Sequence, residues 1–374
     1  MTLNISAAFD SGNIIVESAD DPSDIRLSIR KDSESHFYQW FHFRTTGAKA
    51  TPCTFRITNA AKAAFPKAWD GYRVAASYDR ETWFRVDATR YENGHLIWDH
   101  APEQDSVYYA YFAPYSMERH ADLISDCLQY DGVSLDILGA SLDGLDIDCL
   151  RVGEGEKTIW VIARQHPGES MAEWWMEGFL ARLLDDEDEV ALQLRKDVTF
   201  RIVPNMNPDG SRRGNLRTNA SGANLNREWG VSTAENSPEV LHTIAAMDAD
   251  KPVLCLDVHG DEALPYNFIA GAEGIPGYTE KQANNLADFL DAYKRASSDF
   301  QTEYGYGLSA PGTANLTMCT NFTAHRYDCL AMTLEMPFKD NANAPDAVVG
   351  WSPDRSAQLG GAALDAIADV AAQV

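Results

Sequence analysis

The sequence predicts an α/β chain of two domains: an all-β antiparallel sandwich over residues 1–116, then an α/β/α layered domain over residues 117–374. Three observations predict it. Short strand-like runs separated by turns fill the first 116 residues. From about residue 130 onward, apolar runs alternate with helix-patterned segments, as layers packed on a central sheet require. And 374 residues with 45% hydrophobic side chains and 9 tryptophans supply apolar surface for two cores.

In the first domain, residues 25–30, 37–44, 52–58, 72–78, 83–89 and 107–112 read as strands. Asn93-Gly94, between two apolar-aromatic stretches, is a strong hairpin signal, because both positions of the tight turn need positive φ. Residues 117–130 join the two domains. Beyond them, residues 171–184, 238–247, 279–297 and 356–372 carry helical spacing. Between these lie four runs rich in Val, Ile, Leu, Trp and Phe: residues 158–165, 198–204, 253–258 and 330–334, read as buried strands.

Each of the four runs ends on chemistry. They lead into His166-Pro167-Gly168-Glu169, Asn207-Pro208-Asp209-Gly210, His259 and Glu335. Open α/β sheets collect ligands at the carboxyl ends of their strands, so one sheet edge is expected to gather two His, two Glu and a basic loop. The two-residue gap between His166 and Glu169 lets both side chains converge on one ion if the segment is a tight turn entering a helix. With His259 as a distant third ligand the set is His₂Glu, a catalytic zinc set with a position left open for water. An isolated H-x-x-E arises by chance in many proteins. Here Pro167 and Gly168 make the turn, and Met171, Trp174, Trp175 and Phe179 have the spacing of the helix behind it.

The ordered series His166-Pro-Gly-Glu169, Asn207-Pro-Asp-Gly210, Gly214-Asn-Leu-Arg217, Leu225-Asn-Arg227, Asp257-Val-His259-Gly260 and Thr333-Leu-Glu335 resembles the zinc metallocarboxypeptidases. The wording ARQHPGES, GNLR and LNREW is similar to the cytosolic carboxypeptidase branch. So are FDSGNI at residues 9–14, QWFHFR at 39–44 and YAYFAPYS at 109–116. The resemblance spans nearly the whole chain. It implies a carboxypeptidase-like catalytic domain with a mixed central sheet, one zinc ion per chain held by His166, Glu169 and His259, and peptides or protein tails as substrates.

The resemblance also implies roles. Asn226 and Arg227 would bind the substrate's terminal carboxylate, for which a guanidinium offers a bidentate fork. Arg217 would stabilise the oxyanion of the scissile carbonyl. Glu335 would be the general base, taking a proton from the zinc-activated water and passing it to the leaving amine. Its place after an apolar run points to partial burial and a raised pKa. The family's mobile tyrosine has three candidates, Tyr304, Tyr306 and Tyr327. Two departures stand out. Family members commonly carry Asp where this chain has Asn224, a weaker partner for the first zinc histidine. The residues after His259, Gly260-Asp261-Glu262, are also more acidic than the family turn.

Net charge is −25, with −3 over residues 1–120 and −22 over the remainder, which disfavours nucleic acid as a partner. The acidic run at residues 185–189 lacks the glycine and ligand alternation of a calcium loop and reads as a solvated helix end. No apolar run reaches about 18 residues, so no membrane span is expected. The start of the chain shows no signal peptide, and the six scattered cysteines read as reduced core thiols, so a cytoplasmic location is expected. Arg164, Arg212, Arg213 and Arg217 surround the site in sequence, and such a cluster would form a positive funnel favouring an acidic terminal residue. Two other functions fit the same residues: a zinc deacylase of N-acyl amino acids, and a catalytically silent zinc-containing peptide-binding protein.

Overall fold

A computed structural model describes residues 3–374. The amino-terminal strands form two five-stranded sheets. One runs in the order Asn4–Ser6, His42–Thr46, Ser106–Ala110, Ala75–Ser77, Trp83–Arg85, the other Ile15–Ser18, Ile25–Ser28, Cys53–Ile57, His95–His100, Thr89–Glu92. Their inner faces meet through Phe43 and Tyr109 of the first and Phe55 and Trp98 of the second. Phe55 and Trp98 stack at 5.1 Å and Phe55 meets Tyr109 at 4.9 Å. The expected hairpin is present, with Asn93 and Gly94 both at positive φ (51° and 81°) between Thr89–Glu92 and His95–His100. The sandwich is not wholly antiparallel. Ile25–Ser28 and Cys53–Ile57 pair in parallel, because between them the chain crosses to the other sheet, lays down His42–Thr46 and returns in the same direction.

The joining segment is the helix Met117–Cys127, capped by Ser116, whose hydroxyl accepts from the Arg119 N–H. The second domain is built on a seven-stranded mixed sheet ordered Val133–Ala140, Asp146–Val152, Val198–Val203, Lys157–Ala163, Pro252–Asp261, Leu330–Pro337, Phe268–Ala270. Its four central strands are the four apolar runs, and they are parallel. They are buried on both faces, which is why they read as continuous apolar segments. Ile159 and Val161 point into one core, Trp160 and Ile162 into the other. Helices Met171–Leu183, Glu280–Ala296 and Pro353–Ala371 cover the first side; Pro238–Ala249 and Cys319–Tyr327 cover the second. The first and last of the three are in close contact: a Cβ on Gly178 would lie 2.0 Å from the Ala357 carbonyl oxygen, so only glycine permits the approach.

The two domains share buried structure. Arg85 of the sandwich is almost fully buried and donates to five carbonyls, including those of Phe338 (2.8 Å), Lys339, Val349 and Trp351 in the segment after the strand of Glu335. Tyr111 stacks on Phe338 at 4.5 Å. Among the described residues no helix is long and apolar enough to cross a membrane. All six cysteines are free and buried.

Candidate metal centre and active site

Two strands run past the positions expected to end them. His259 lies inside Pro252–Asp261 and Glu335 inside Leu330–Pro337, and the two are register partners on adjacent parallel strands. The strand Lys157–Ala163 does stop early, at Arg164, whose φ is +59°. The turn that follows delivers His166 and Glu169 ahead of the helix Met171–Leu183. Gly168 packs against the backbone of Leu216, leaving no room for a side chain.

His166, Glu169 and His259 converge and are all buried. Glu169 reaches His166 Nδ1 at 2.7 Å through Oε1 and His259 Nδ1 at 2.8 Å through Oε2, and the two Nδ1 atoms are 3.2 Å apart. The far nitrogen of each ring has its own acceptor: Asn224 Oδ1 at 3.0 Å for His166 Nε2, and Asp257 Oδ2 at 3.0 Å for His259 Nε2. Those bonds place the N–H on Nε2 and leave both Nδ1 lone pairs directed at one point beside a carboxylate. Two facing lone pairs repel unless a cation lies between them, so the donor set fits a zinc ion. Asp257 is itself held by Gln165 Nε2 at 2.7 Å, and Gln165 Oε1 accepts from the Trp229 indole at 2.8 Å. The charges reflect the same convergence. Burial and then the Arg217 charge push His166 down to about 4. Burial opposes ionisation of Glu169, yet His166 and His259 hold it well below the usual carboxylate range.

Glu335 is buried beside this cluster. Its Oε1 accepts from the Tyr306 hydroxyl at 3.1 Å, and its Oε2 has no partner. Burial pushes its carboxyl well above the usual range; His259 opposes this, while Glu169, Asp261 and Glu262 add to it. Glu262, three residues beyond His259, is raised to about 8 by burial and then by Glu169, with Arg217 opposing. Of the three tyrosine candidates, only Tyr306 reaches the site, bonding Asp261 as well as Glu335. Tyr304 stacks on Tyr266, and Tyr327 bonds Asp248.

Arg217 lies in the loop after the helix Pro208–Arg213, and Arg227 ends the turn Leu225–Arg227 that follows this loop. Among the described residues neither guanidinium has a carboxylate partner, and burial, then the Arg217 charge, lowers the pKa of Arg227. Asn226 Oδ1 accepts the Cys319 N–H at 2.9 Å, which leaves its NH₂ free to donate. Asn226 and Glu335 both line a cavity of about 200 Å³ with Thr320, Thr333, Met318 and Glu273. The Thr320 and Thr333 hydroxyls bond each other at 2.6 Å.

The four-arginine funnel does not form. Arg164, at φ +59°, is fully buried, with its Nη1 2.6 Å from Glu173. Arg213 pairs with Asp143, and Arg212 is exposed. No arginine or lysine lines the cavity beside Glu335. Asp257 could have been found from sequence: it stands two residues before His259, which on a strand is the same face. Tyr306 was one candidate of three, and nothing local singled it out, since it arrives on a loop 29 residues before Glu335.

Comparison with known proteins identifies the family. A family model for the cytosolic carboxypeptidase N-terminal domain matches residues 5–112, and one for zinc carboxypeptidases matches residues 128–349. An uncharacterized protein of Zymomonas mobilis is 51% identical, covering 100% of this chain and 98% of its own; cytosolic carboxypeptidase 6 of Caenorhabditis elegans is 26% identical, covering 90% and 79%. The crystal structure of a metallo-carboxypeptidase from Burkholderia cenocepacia superimposes with a TM-score of 0.96 at 50% identity, over 98% of each chain. A metallo-carboxypeptidase from Pseudomonas aeruginosa, solved with (2-guanidinoethylmercapto)succinic acid, gives 0.97 at 46%, over 99% of each. With a zinc carboxypeptidase model over its second domain and a cytosolic carboxypeptidase model over its first, the chain belongs to the zinc carboxypeptidase family and is a zinc-dependent peptidase of the cytosolic carboxypeptidase type.

Proposed function

We propose that this chain removes the carboxy-terminal residue from peptides or protein tails, with His166, Glu169 and His259 holding one zinc. One observation supports the terminal cut above all. Arg217 and Arg227 bring two positive charges together with no carboxylate partner among the described residues, next to a free Asn226 NH₂ and a cavity lined by Asn226 and Glu335. Like charges left unpaired at a cleft await an anion, and a terminal carboxylate is the anion a peptide offers. Asn226 and Arg227 bind it. Arg217 faces the oxyanion of the scissile carbonyl.

Zinc, when bound, polarises that carbonyl and makes water acidic enough to ionise near neutral pH. Glu335 takes the proton of the attacking water on its unpartnered Oε2 and later gives it to the leaving amine. Tyr306 fixes the other oxygen and so the orientation of the carboxylate.

For the terminal residue, the cavity favours a neutral or basic side chain over an acidic one. Its walls offer hydroxyls and the Glu273 carboxylate, and no cation. Glu273 folds back over Gly271 and has no ion-pair partner among the described residues. The Pseudomonas aeruginosa relative was solved with (2-guanidinoethylmercapto)succinic acid, which carries a guanidine, the cation type of a basic side chain, beside its two carboxylates. The test is a set of peptides differing only in the last residue, Glu, Lys, Phe or Ala, with N-acetyl amino acids alongside. Release of Lys ahead of Glu is expected. Fastest release of Glu would restore the acidic preference, and turnover of N-acetyl amino acids alone would make the chain a deacylase. Stoichiometric zinc without any turnover would favour the silent binding protein.

A further inference from the structure

The loop that carries Arg217 is held by the other domain. Asp32, in the sandwich and almost fully buried, accepts the Leu216 N–H on Oδ1 at 2.7 Å and the Arg217 and Thr218 N–H groups on Oδ2 at 2.8 and 3.0 Å; the Thr218 hydroxyl adds a fourth bond at 3.2 Å. Arg217 therefore sits at the centre of a carboxylate-clamped backbone turn. Its guanidinium lies over two rings of the same domain, Phe37 at 5.8 Å and Phe65 at 5.5 Å. The loop is fastened again just before this point. Asn13 Nδ2 donates to the Gly214 carbonyl at 2.8 Å, and a guanidinium nitrogen of Arg30 donates to the Arg213 carbonyl at 2.8 Å. Gly214, at φ +70°, has Ser11 O so close that a Cβ would meet it at 2.6 Å.

We infer that the amino-terminal domain completes the active site: Asp32 is a positioning residue that fixes Arg217, with Phe37 and Phe65 as its brace. The inference rests on the carboxypeptidase reading of Arg217. A buried carboxylate with four donors is a costly feature to build unless the segment it holds must not move. Arg217 meets that description. It carries no carboxylate partner to lock its own side chain, and an oxyanion donor acts only if it stands in place before charge develops. A misplacement of about 1 Å in such a group costs on the order of a hundredfold in rate. The family fold alone supplies the zinc cluster and Glu335 from the second domain; this contact makes the clamp a product of both.

Asp32→Asn is the direct test, in the zinc-loaded full chain. The amide keeps one acceptor but turns an NH₂ toward the Arg217 and Thr218 N–H groups. On the fastest peptide, kcat should fall about ten- to a hundredfold with KM changed little, while zinc content stays near wild type and the chain remains folded at the assay temperature. The loss must act through Arg217: in an Arg217→Ala background, Asp32→Asn should cost nothing further. Phe65→Leu, which leaves the clamped backbone intact, should lower kcat in the same direction. If Asp32→Asn leaves kcat at the wild-type value, or if its loss multiplies with that of Arg217→Ala, the inference is overturned. Hydrogen exchange of the Leu216, Arg217 and Thr218 amides gives a readout independent of turnover. Faster exchange there in Asp32→Asn supports the clamp, and unchanged exchange overturns it. A wild-type chain inactive on every peptide would defeat the carboxypeptidase reading, with the exchange result still deciding the clamp.

Discussion

Removing the charge of Glu173 should unfasten the turn that presents the zinc ligands. Glu173 is fully buried at the start of the helix Met171–Leu183. Its Oε2 lies 2.6 Å from Arg164 Nη1 and its Oε1 2.5 Å from His120 Nδ1, with Asp148 3.0 Å from the other side of that ring. Arg164 in turn donates to the Pro167 and Tyr115 carbonyls, so this network grips the segment between the sheet and His166. Arg164 has no other carboxylate within salt-bridge distance among the described residues. Glu173→Gln keeps the shape and leaves a buried guanidinium uncompensated, at a cost of about 3–5 kcal/mol.

The same network sets a pH dependence. Burial opposes the charge on His120, but Glu173 and Asp148 outweigh it and raise the ring from 6.5 to about 9. A group whose folded pKa is raised stabilises fully below its unfolded value. That contribution, about 3 kcal/mol, is lost as pH rises from 6.5 through about 9. Denaturant unfolding of the wild type and of Glu173→Gln across that window is the assay. The difference between the two curves is the quantity to read, because buried Glu239 and Glu262, raised to about 7 and about 8, titrate there in both proteins. The variant should be less stable by about 3–5 kcal/mol near pH 6.5, with the gap narrowing toward pH 9.5. A deficit under about 1 kcal/mol would show that the network holds nothing, and a larger deficit independent of pH would refute the part assigned to His120.

Glu335→Gln should keep zinc and fold while kcat falls by about 10²–10⁴; near wild-type turnover would assign proton transfer to another group. Asn224→Asp gives His166 the carboxylate partner that His259 already has in Asp257, and should tighten zinc by about tenfold in chelator competition. Equal affinity would mean that the amide orients the ring as well as a carboxylate does.

Much of this was legible in the sequence because the physics is local. The four central strands are buried on both faces and so read as unbroken apolar runs, and His166 and Glu169 sit in a turn their own Pro and Gly define. The edge hairpin Val133–Ala140 and Asp146–Val152 was not named, since its first strand is mostly exposed and shows little apolar signal. Arg164 misled because its partner, Glu173, lies on the next helix, and nothing in composition shows that an expected funnel arginine forms a core ion pair there. Asp32 was invisible as a partner, and Tyr306 could not be told from Tyr304 and Tyr327, because each acts across a long sequence separation, 185 residues to Arg217 and 29 to Glu335.

Metal analysis of purified wild type beside His166→Ala, Glu169→Ala and His259→Ala tests the centre of the proposal most directly. The facing Nδ1 atoms and the shared carboxylate call for one zinc per wild-type chain and for loss of most of it in each variant. Stoichiometric zinc retained in all three would contradict the assignment of the metal to this cluster.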